Sequence, residues 1–310
     1  MEVRTLNYEG VALTYYTKTP EENIRGVVQL LHGASEHAKR YEPLLTTLVD
    51  HGYAIIAHDQ IGHGESRLAD DKITFGKTGT MMLLGGAKGI YDIAKEHWSD
   101  KPIYLFAHSM GSFVGRALMA IHGDLYDGVI LSGSTLINKP ALYFGIALSG
   151  LIKRIRGDLH VSPLIANLSQ NRPINRMIKD GIIEHPHEWV TNDKDKQREA
   201  KKDALVGLRF TVSAQNAMFK VILKAHNRSA LNKHVIKSPL AVFCGAEDAL
   251  CDYGDATLKL ETHFTNSGIN VVKRKVYPNT RHEILNDHAR DTFTNDIITL
   301  FNNWSEASAK

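Results

Sequence analysis

What constrains this chain most is a series of short, continuously apolar runs set too far apart for hairpins. They are "GVVQLLH" (Gly26–His32), "YAIIAHD" (Tyr53–Asp59), "IYLFAH" (Ile103–His108), "DGVILSG" (Asp127–Gly133), "PLAVFCG" (Pro239–Gly245) and "NVVKRKVY" (Asn270–Tyr277). Most lack alternating polar positions, which is how strands covered on both faces read. Helical patterns lie between them. "YEPLLTTLVDHG" ends in a glycine stop, and "TMMLLGGAKGIYDIAKEHW" keeps helical spacing despite its glycines. The closing "HARDTFTNDIITLFNNW" puts Phe293, Ile297, Leu300, Phe301 and Trp304 on one face. Strands alternating with helices predict an α/β fold with a mostly parallel sheet. The opening "YEGVALTYY" reads as a hairpin through Glu9-Gly10.

One region breaks this rhythm. From Lys139 to Ser213 no strand pattern stands out; "ALYFGIALSGLIKRIRG" gives way to polar loops and then "DKDKQREAKKDALVGL". We read it as a helical insertion over the strand ends, dividing the chain into 1–138, 139–213 and 214–310. A length of 310 residues suits one large domain with such an insertion. A formal net charge of +3, with no basic run interleaved with aromatics, argues against a nucleic-acid partner. Two cysteines, Cys244 and Cys251, build neither a disulfide framework nor a four-ligand zinc site, and they favour a reducing compartment. The first twenty residues lack the features of a signal peptide. The longest apolar run, Ala141 to Ile152, is too short to span a bilayer. A cytoplasmic location is the expectation.

Ligands of open α/β sheets bind at the carboxyl ends of the strands. Ser109 sits at such an end, in "IYLFAHSMGSFVG", with a helix starting immediately after it. A nucleophile held on a sharp strand-to-helix turn needs small residues two before and two after it, because strand and helix pass close there. Ala107 and Gly111 fill those positions. A serine that merely caps the helix fits the local sequence as well, so the later residues decide. A serine hydroxyl needs a base, and the base needs an orienting acid. After "LAVFCG" come Glu247, Asp248 and Asp252; after the last strand comes His282. A histidine just past the last strand, following a carboxylate just past the previous one, is the order a Ser–acid–His triad takes in this kind of fold. An oxyanion hole then needs the N–H of Met110 and one from the loop "LLHGASEHAKRY", where Gly33 allows the turn and Ala34 is the candidate donor. His32, Glu36, His37 and Arg40 read as braces of that loop, and "DQIGHGES" as a tight strand exit. His185 and His187 read as loop residues, and no histidine set has metal-ligand spacing, so neither metal nor cofactor is expected.

The set "HGASEHAKRY", "DQIGHGES", "AHSMGS", "GAEDALCD" and "YPNTRHEILND" resembles the monoacylglycerol lipase and lysophospholipase (serine aminopeptidase-like) group of α/β-hydrolases, over about Leu13 to Trp304. The resemblance implies an α/β-hydrolase fold with a sheet of about eight strands and a helical lid. It implies Ser109 as nucleophile, Asp248 as acid and His282 as base, with Ala34 and Met110 as oxyanion donors and Gly33 and His108 beside the substrate. The family commonly has Gly at Ala107 and Ser112 and His at Gln60. Cys251, three residues after Asp248, matches a cysteine often found there in the family; it is expected beside the substrate with Gly33 and His108, open to inhibition by a thiol reagent, or else it is a quiet buried cysteine.

The implied reaction is acyl transfer from a lipid-like ester to water, with monoacylglycerols first among substrates. The rivals are a lysophospholipase, a short-chain carboxylesterase and, from another class, a non-catalytic ligand-binding member of the fold. A peptidase is disfavoured because nothing in the sequence offers to hold a free amine. The stretch from Ala141 to Gly157, ending in Lys153, Arg154 and Arg156, either touches a membrane surface or packs its apolar face on the core. The sequence carries no signal for an oligomeric state.

Overall fold

The computed structural model describes residues 1–169 and 171–308. In chain order the elements are β1 (Glu2–Tyr8), β2 (Val11–Lys18), β3 (Gly26–Leu31), α1 (Glu42–Asp50), β4 (Tyr53–His58), β5 (Lys72–Ile73) and α2 (Gly79–His97). Then come β6 (Ile103–His108), α3 (Met110–His122), β7 (Gly128–Ser132), α4 (Lys139–Arg156), α5 (Pro163–Leu168), α6 (Asn171–Lys179) and α7 (Lys194–Lys202). The chain closes with β8 (Arg209–Phe210), α8 (Val212–Ala225), α9 (Arg228–Leu231), β9 (Leu240–Gly245), α10 (Asp255–Thr265), β10 (Val271–Tyr277) and α11 (Arg290–Ser308).

Eight strands form one sheet in the order β1-β2-β4-β3-β6-β7-β9-β10. β2 pairs antiparallel with both its neighbours, and every other pairing is parallel. The six apolar runs are strands, and β3, β4, β6, β7 and β9 are buried at every residue. Alternate residues sort to opposite faces, as a pleat requires. Leu105 and Ala107 of β6 join the core under α2, α3, α8 and α10, while Tyr104 and Phe106 join the core under α1 and α11. The hairpin turns at Glu9-Gly10 and lies across α2. The glycines that weaken α2 intrinsically are the positions where Tyr8 and Leu6 of the hairpin rest: a Cβ at Gly85 or Gly89 would meet them. All five apolar residues read from α11 are buried.

Among the described residues, the eight-stranded sheet gains no strand between β7 and β9. One expectation needs correcting here. The region 139–213 contains a strand, the two-residue β8, paired in parallel with β5 in a separate ribbon. Such a short pair has no periodicity to read. The expected boundary at 213 also falls inside the first turn of α8, which packs on both α3 and α4 and so ties the segment to the rest of the chain. α4 turns Leu142, Gly145 and Ser149 towards α8, where Asn216 donates to the Ile146 carbonyl and to Ser149 Oγ at 2.9 and 2.8 Å. Its other face leaves Tyr143, Phe144, Leu151 and Ile155 in solvent.

Candidate active site

β6 delivers Ser109 to the carboxyl edge of the sheet, and α3 begins at the next residue. Ser109 adopts φ 49°, ψ −114°, a left-handed conformation that costs a non-glycine residue about 1–3 kcal/mol. The turn is held from both sides: the Ser109 N–H donates to the Ser132 carbonyl (2.9 Å), and the Gly111 N–H donates to the His32 carbonyl (3.1 Å). A Cβ at Gly111 would run into the Leu31 and His32 carbonyls, so α3 starts this close to β3 only with glycine there. Ser112, another small residue of the elbow, donates from Oγ to the Ser109 carbonyl (2.6 Å).

The loop after β10 brings His282 to the serine, with Nε2 2.8 Å from Ser109 Oγ. Its Nδ1 lies 2.7 Å from Asp248 Oδ2, on the loop after β9. The other oxygen, Asp248 Oδ1, accepts from the N–H groups of Leu250 (2.9 Å) and Cys251 (3.3 Å). Asp248 is wholly buried and His282 nearly so. Burial favours the neutral form of each, but their mutual attraction outweighs it: His282 is raised above the ordinary imidazole value and Asp248 lowered below the ordinary carboxyl value. Position after β9 left three acids open, the resemblance implied Asp248, and the geometry separates them. Glu247 accepts from Asn192 Nδ2, and Asp252 pairs with Arg176 and Lys259; only Asp248 reaches His282.

The N–H groups of Ala34 and Met110 have no intramolecular acceptor among the described residues. Both residues line the cavity that holds Ser109 Oγ. The Ala34 peptide is braced through its carbonyl partner, since His32 bonds the Gly33 oxygen at 2.7 Å and Gly33 O and Ala34 N share one peptide plane. His32 Nε2 accepts from the Gln60 N–H (2.9 Å), so Nδ1 carries the proton and donates. Burial pulls the His32 pKa down to about 4, keeping the ring neutral. Glu36 takes the Gly33 N–H (2.5 Å) and the Tyr41 hydroxyl (2.7 Å), and Arg40 bridges Glu36 to Glu283, the residue after His282. The loop residues read as braces thus join the loop carrying Ala34 to the loop carrying His282. His37 bonds Asp203 across to the end of α7.

Gly33 and His108 line the cavity. Burial pulls the His108 pKa down to about 4, and its ring stands 4.8 Å from that of His282. Cys251 does not line the cavity. It is fully buried behind Asp248, its Sγ against the Ser134 carbonyl, and the neighbouring Cys244 together with burial holds its pKa well above the ordinary thiol value. A thiol reagent therefore meets neither an open path nor a thiolate there. His185 caps a single turn, Pro186–Val190, that contains His187, and no group of three metal-ligating side chains converges among the described residues.

Two residues were missed by sequence reasoning. Trp189 stacks on His282 (centroids 4.5 Å apart, planes 22°). Arg281 donates to the carbonyls of Ile182, Glu188 and Thr191, clasping the inserted segment onto the His282 loop, and the Glu283 N–H donates to the Val190 carbonyl (2.7 Å). Nothing local in "HPHEWV" marks the tryptophan. Arg281 stood beside the candidate base, and that adjacency was the available signal.

The cavity measures about 1320 Å³, larger than the roughly 300–1,000 Å³ of ordinary small-molecule sites. Phe113 of α3, Leu142, Phe144 and Leu148 of α4, and Phe219 and Ile222 of α8 make much of its wall apolar. Cationic side chains, among them Arg172, Lys201 and Arg209, stand on the same lining.

The chain is similar over 94% of its length to a monoacylglycerol lipase of Mycolicibacterium smegmatis, 24% identical across 300 residues that cover 92% of that protein. Its fold superposes on a thermostable carboxyl esterase of Bacillus coagulans crystallised with glycerol, with a TM-score of 0.88, 23% identity and 98% and 99% of the two chains covered. A soluble variant of the Saccharomyces cerevisiae monoglyceride lipase, in complex with a substrate analogue, gives a TM-score of 0.74 at 18% identity over 98% and 95% of the chains. Residues 22–289 match the model of the serine aminopeptidase S33 family, and with this sheet, this elbow and this match the chain belongs to that family of α/β-hydrolases, in its monoacylglycerol-lipase-like group.

Proposed function

We propose that the protein hydrolyses carboxylic esters of lipid-like alcohols, monoacylglycerols first, through Ser109, His282 and Asp248 and an acyl-enzyme. The observation that carries this reading is the unbroken line Ser109 Oγ–His282–Asp248, with bonds of 2.8 and 2.7 Å, at a cavity of about 1320 Å³ whose wall is largely apolar. His282 takes the Ser109 proton as Oγ attacks the ester carbonyl. Asp248 keeps the Nδ1–H tautomer and stabilises the imidazolium. The unpaired N–H groups of Ala34 and Met110 receive the oxyanion. His282 then returns the proton to the leaving alcohol, and a water repeats the sequence on the acyl-enzyme.

The apolar wall supports an acyl chain over a small ester group, and the names of the relatives point the same way. An aminopeptidase would need a free carboxylate for the substrate's ammonium. The cavity's Glu36 and Glu283 share Arg40, and its Asp252 pairs with Arg176 and Lys259, so these acids are already engaged. kcat/KM on monoacylglycerols of increasing acyl length, with lysophosphatidylcholine and a short-chain ester alongside, tests the reading. A rate that climbs with chain length supports it. A maximum at the shortest chain replaces it with a small-ester esterase, and preference for the phospholipid with a lysophospholipase.

We further propose that residues 139–213 act as a lid that rests on the lipid surface. Phe144 and Ile155 are 61% and 69% exposed on α4, with Leu159 and Leu164 nearby in the chain and Lys153, Arg154 and Arg156 at the helix end. No helix of the described residues is long and apolar enough to cross a membrane, so this contact is peripheral. Flotation with vesicles containing anionic lipid tests it: recovery no higher than with Phe144→Ser/Ile155→Ser would end the idea.

A further inference from the structure

Behind Phe113 of the cavity wall, three basic side chains stand around one pair of aromatic rings. Arg116 of α3 is 1% exposed. Its Nη1 donates to the Thr135 carbonyl (2.8 Å) and to Ser134 Oγ (3.3 Å). Its Nε and Nη2 have no partner among the described residues. The rings of Phe113 and Phe264 lie 5.5 and 5.7 Å from the guanidinium carbon. What stays open is the two-pronged Nε/Nη2 edge, the edge that takes an anion side-on.

Two histidines stand around the same aromatic pair. His226, just past α8, packs edge-on to Phe113 (6.3 Å); His263 of α10 packs edge-on to Phe264 (5.4 Å). His226 Nε2 lies 3.4 Å from the Ile137 N–H, the Thr135 backbone also bonds this ring, and the buried Nδ1 has no partner among the described residues. His263 Nε2 is likewise buried and unpartnered. The charged side chains acting most strongly on the two rings include the cations Arg116, Lys139 and Arg228, and no carboxylate of the described residues hydrogen-bonds or ion-pairs with Arg116. Burial draws Arg116 down only to about 9, so it is charged at neutral pH.

A buried cation without a counter-ion is strongly disfavoured. Water would fill the gaps but brings no charge. We propose that Arg116, His226 and His263 form a buried site for one small monovalent anion, of halide or formate size, between α3, the end of α8 and α10. The Arg116 edge takes it with two charge-assisted bonds, and the histidine N–H groups complete an all-donor shell.

Bromide is the probe. Thermal unfolding of the full chain is followed in sodium bromide against sodium gluconate at matched ionic strength. The expected result is a saturable rise in Tm of a few degrees in bromide, absent in Arg116→Met relative to that variant's own gluconate baseline. Equal Tm values in the two salts for the wild-type protein would overturn the proposal. Because Arg116→Met risks misfolding, crystals of the unaltered protein grown in bromide give the second readout. An anomalous peak in hydrogen-bonding reach of Arg116 Nε and Nη2 supports the site. Ordered water alone at that edge, or bromide only elsewhere, overturns it.

Discussion

Replacing Arg40 by methionine removes the cation that joins the two loops of the active site while keeping much of its volume. Arg40 gives three bonds to two nearly buried carboxylates: 2.6 Å to Glu36, and 2.9 and 2.7 Å to Glu283. Without it Glu36 keeps the Gly33 N–H and the Tyr41 hydroxyl, but Glu283 keeps only Asn286 Nδ2. Burial alone would raise the Glu283 carboxyl; Arg40 overturns this and holds it at about 2 instead of the ordinary 4.5. Removing one partner of a buried ion pair costs roughly 3–5 kcal/mol. In the wild-type protein this stability is present above the ordinary carboxyl pKa and is lost as pH falls through about 2. In the variant, burial dominates and the Glu283 pKa rises above its unfolded value. The penalty is then full at neutral pH and relieved as the carboxyl protonates. Urea unfolding at several pH values should show the variant about 3 kcal/mol less stable at pH 8, with the gap narrowing towards pH 5. Activity at a temperature where both are folded should fall about tenfold to a hundredfold, because both loops lose their tie. A loss below about 1 kcal/mol, the level of an exposed pair, with a gap flat across that range, would refute the reasoning.

Other predictions follow from the same geometry. Asp248→Asn should lower kcat about 10⁴-fold with KM little changed. The kcat/KM of the wild type should fall on the acid side as His282 protonates, with an apparent pKa above the ordinary imidazole value; Asp248→Asn should move that limb to lower pH, because burial then acts on His282 alone. A limb that stays in place in the variant would break the assignment. Trp189→Ala opens one face of His282 to water and should cut kcat on the order of tenfold; unchanged kcat would mean the stacking is incidental. Ser112→Gly removes the hydroxyl that bonds the Ser109 carbonyl and should slow fluorophosphonate labelling, with Ser112→Thr restoring it.

Much of the fold was legible because central parallel strands bury both faces. β3, β4, β6, β7 and β9 therefore read as uninterrupted apolar runs, and their carboxyl ends located the site. Ser109 and Asp248 each stand on the loop after such a run, and His282 on the loop after the charged edge strand β10, so strand order brought them together in advance of any contact. Position alone could not choose the acid, because Glu247, Asp248 and Asp252 fall on one loop whose course is set by distant partners; the resemblance of the motifs is what singled out Asp248. The braces of the loop after β3 were legible as braces, but their partners were not: Arg40 meets Glu283 and His37 meets Asp203 across long stretches of chain. Trp189 was invisible because a tertiary clasp by Arg281, and no local pattern, carries it to His282. β5 and β8 are too short for any period. The three basic residues around Phe113 and Phe264 come from separate helices or their ends, and only the fold shows that no carboxylate of the described residues pairs with Arg116.

The central claim is that Ser109 carries the acyl group. The most direct measurement mixes the enzyme with excess p-nitrophenyl ester of a long-chain acid, records the burst of p-nitrophenol, and maps the quenched protein by mass spectrometry. The account predicts a burst of about one equivalent per chain, with the acyl mass on the peptide carrying Ser109 and neither signal in Ser109→Ala. Turnover that persists in Ser109→Ala, or an acyl group found on another residue, would contradict it.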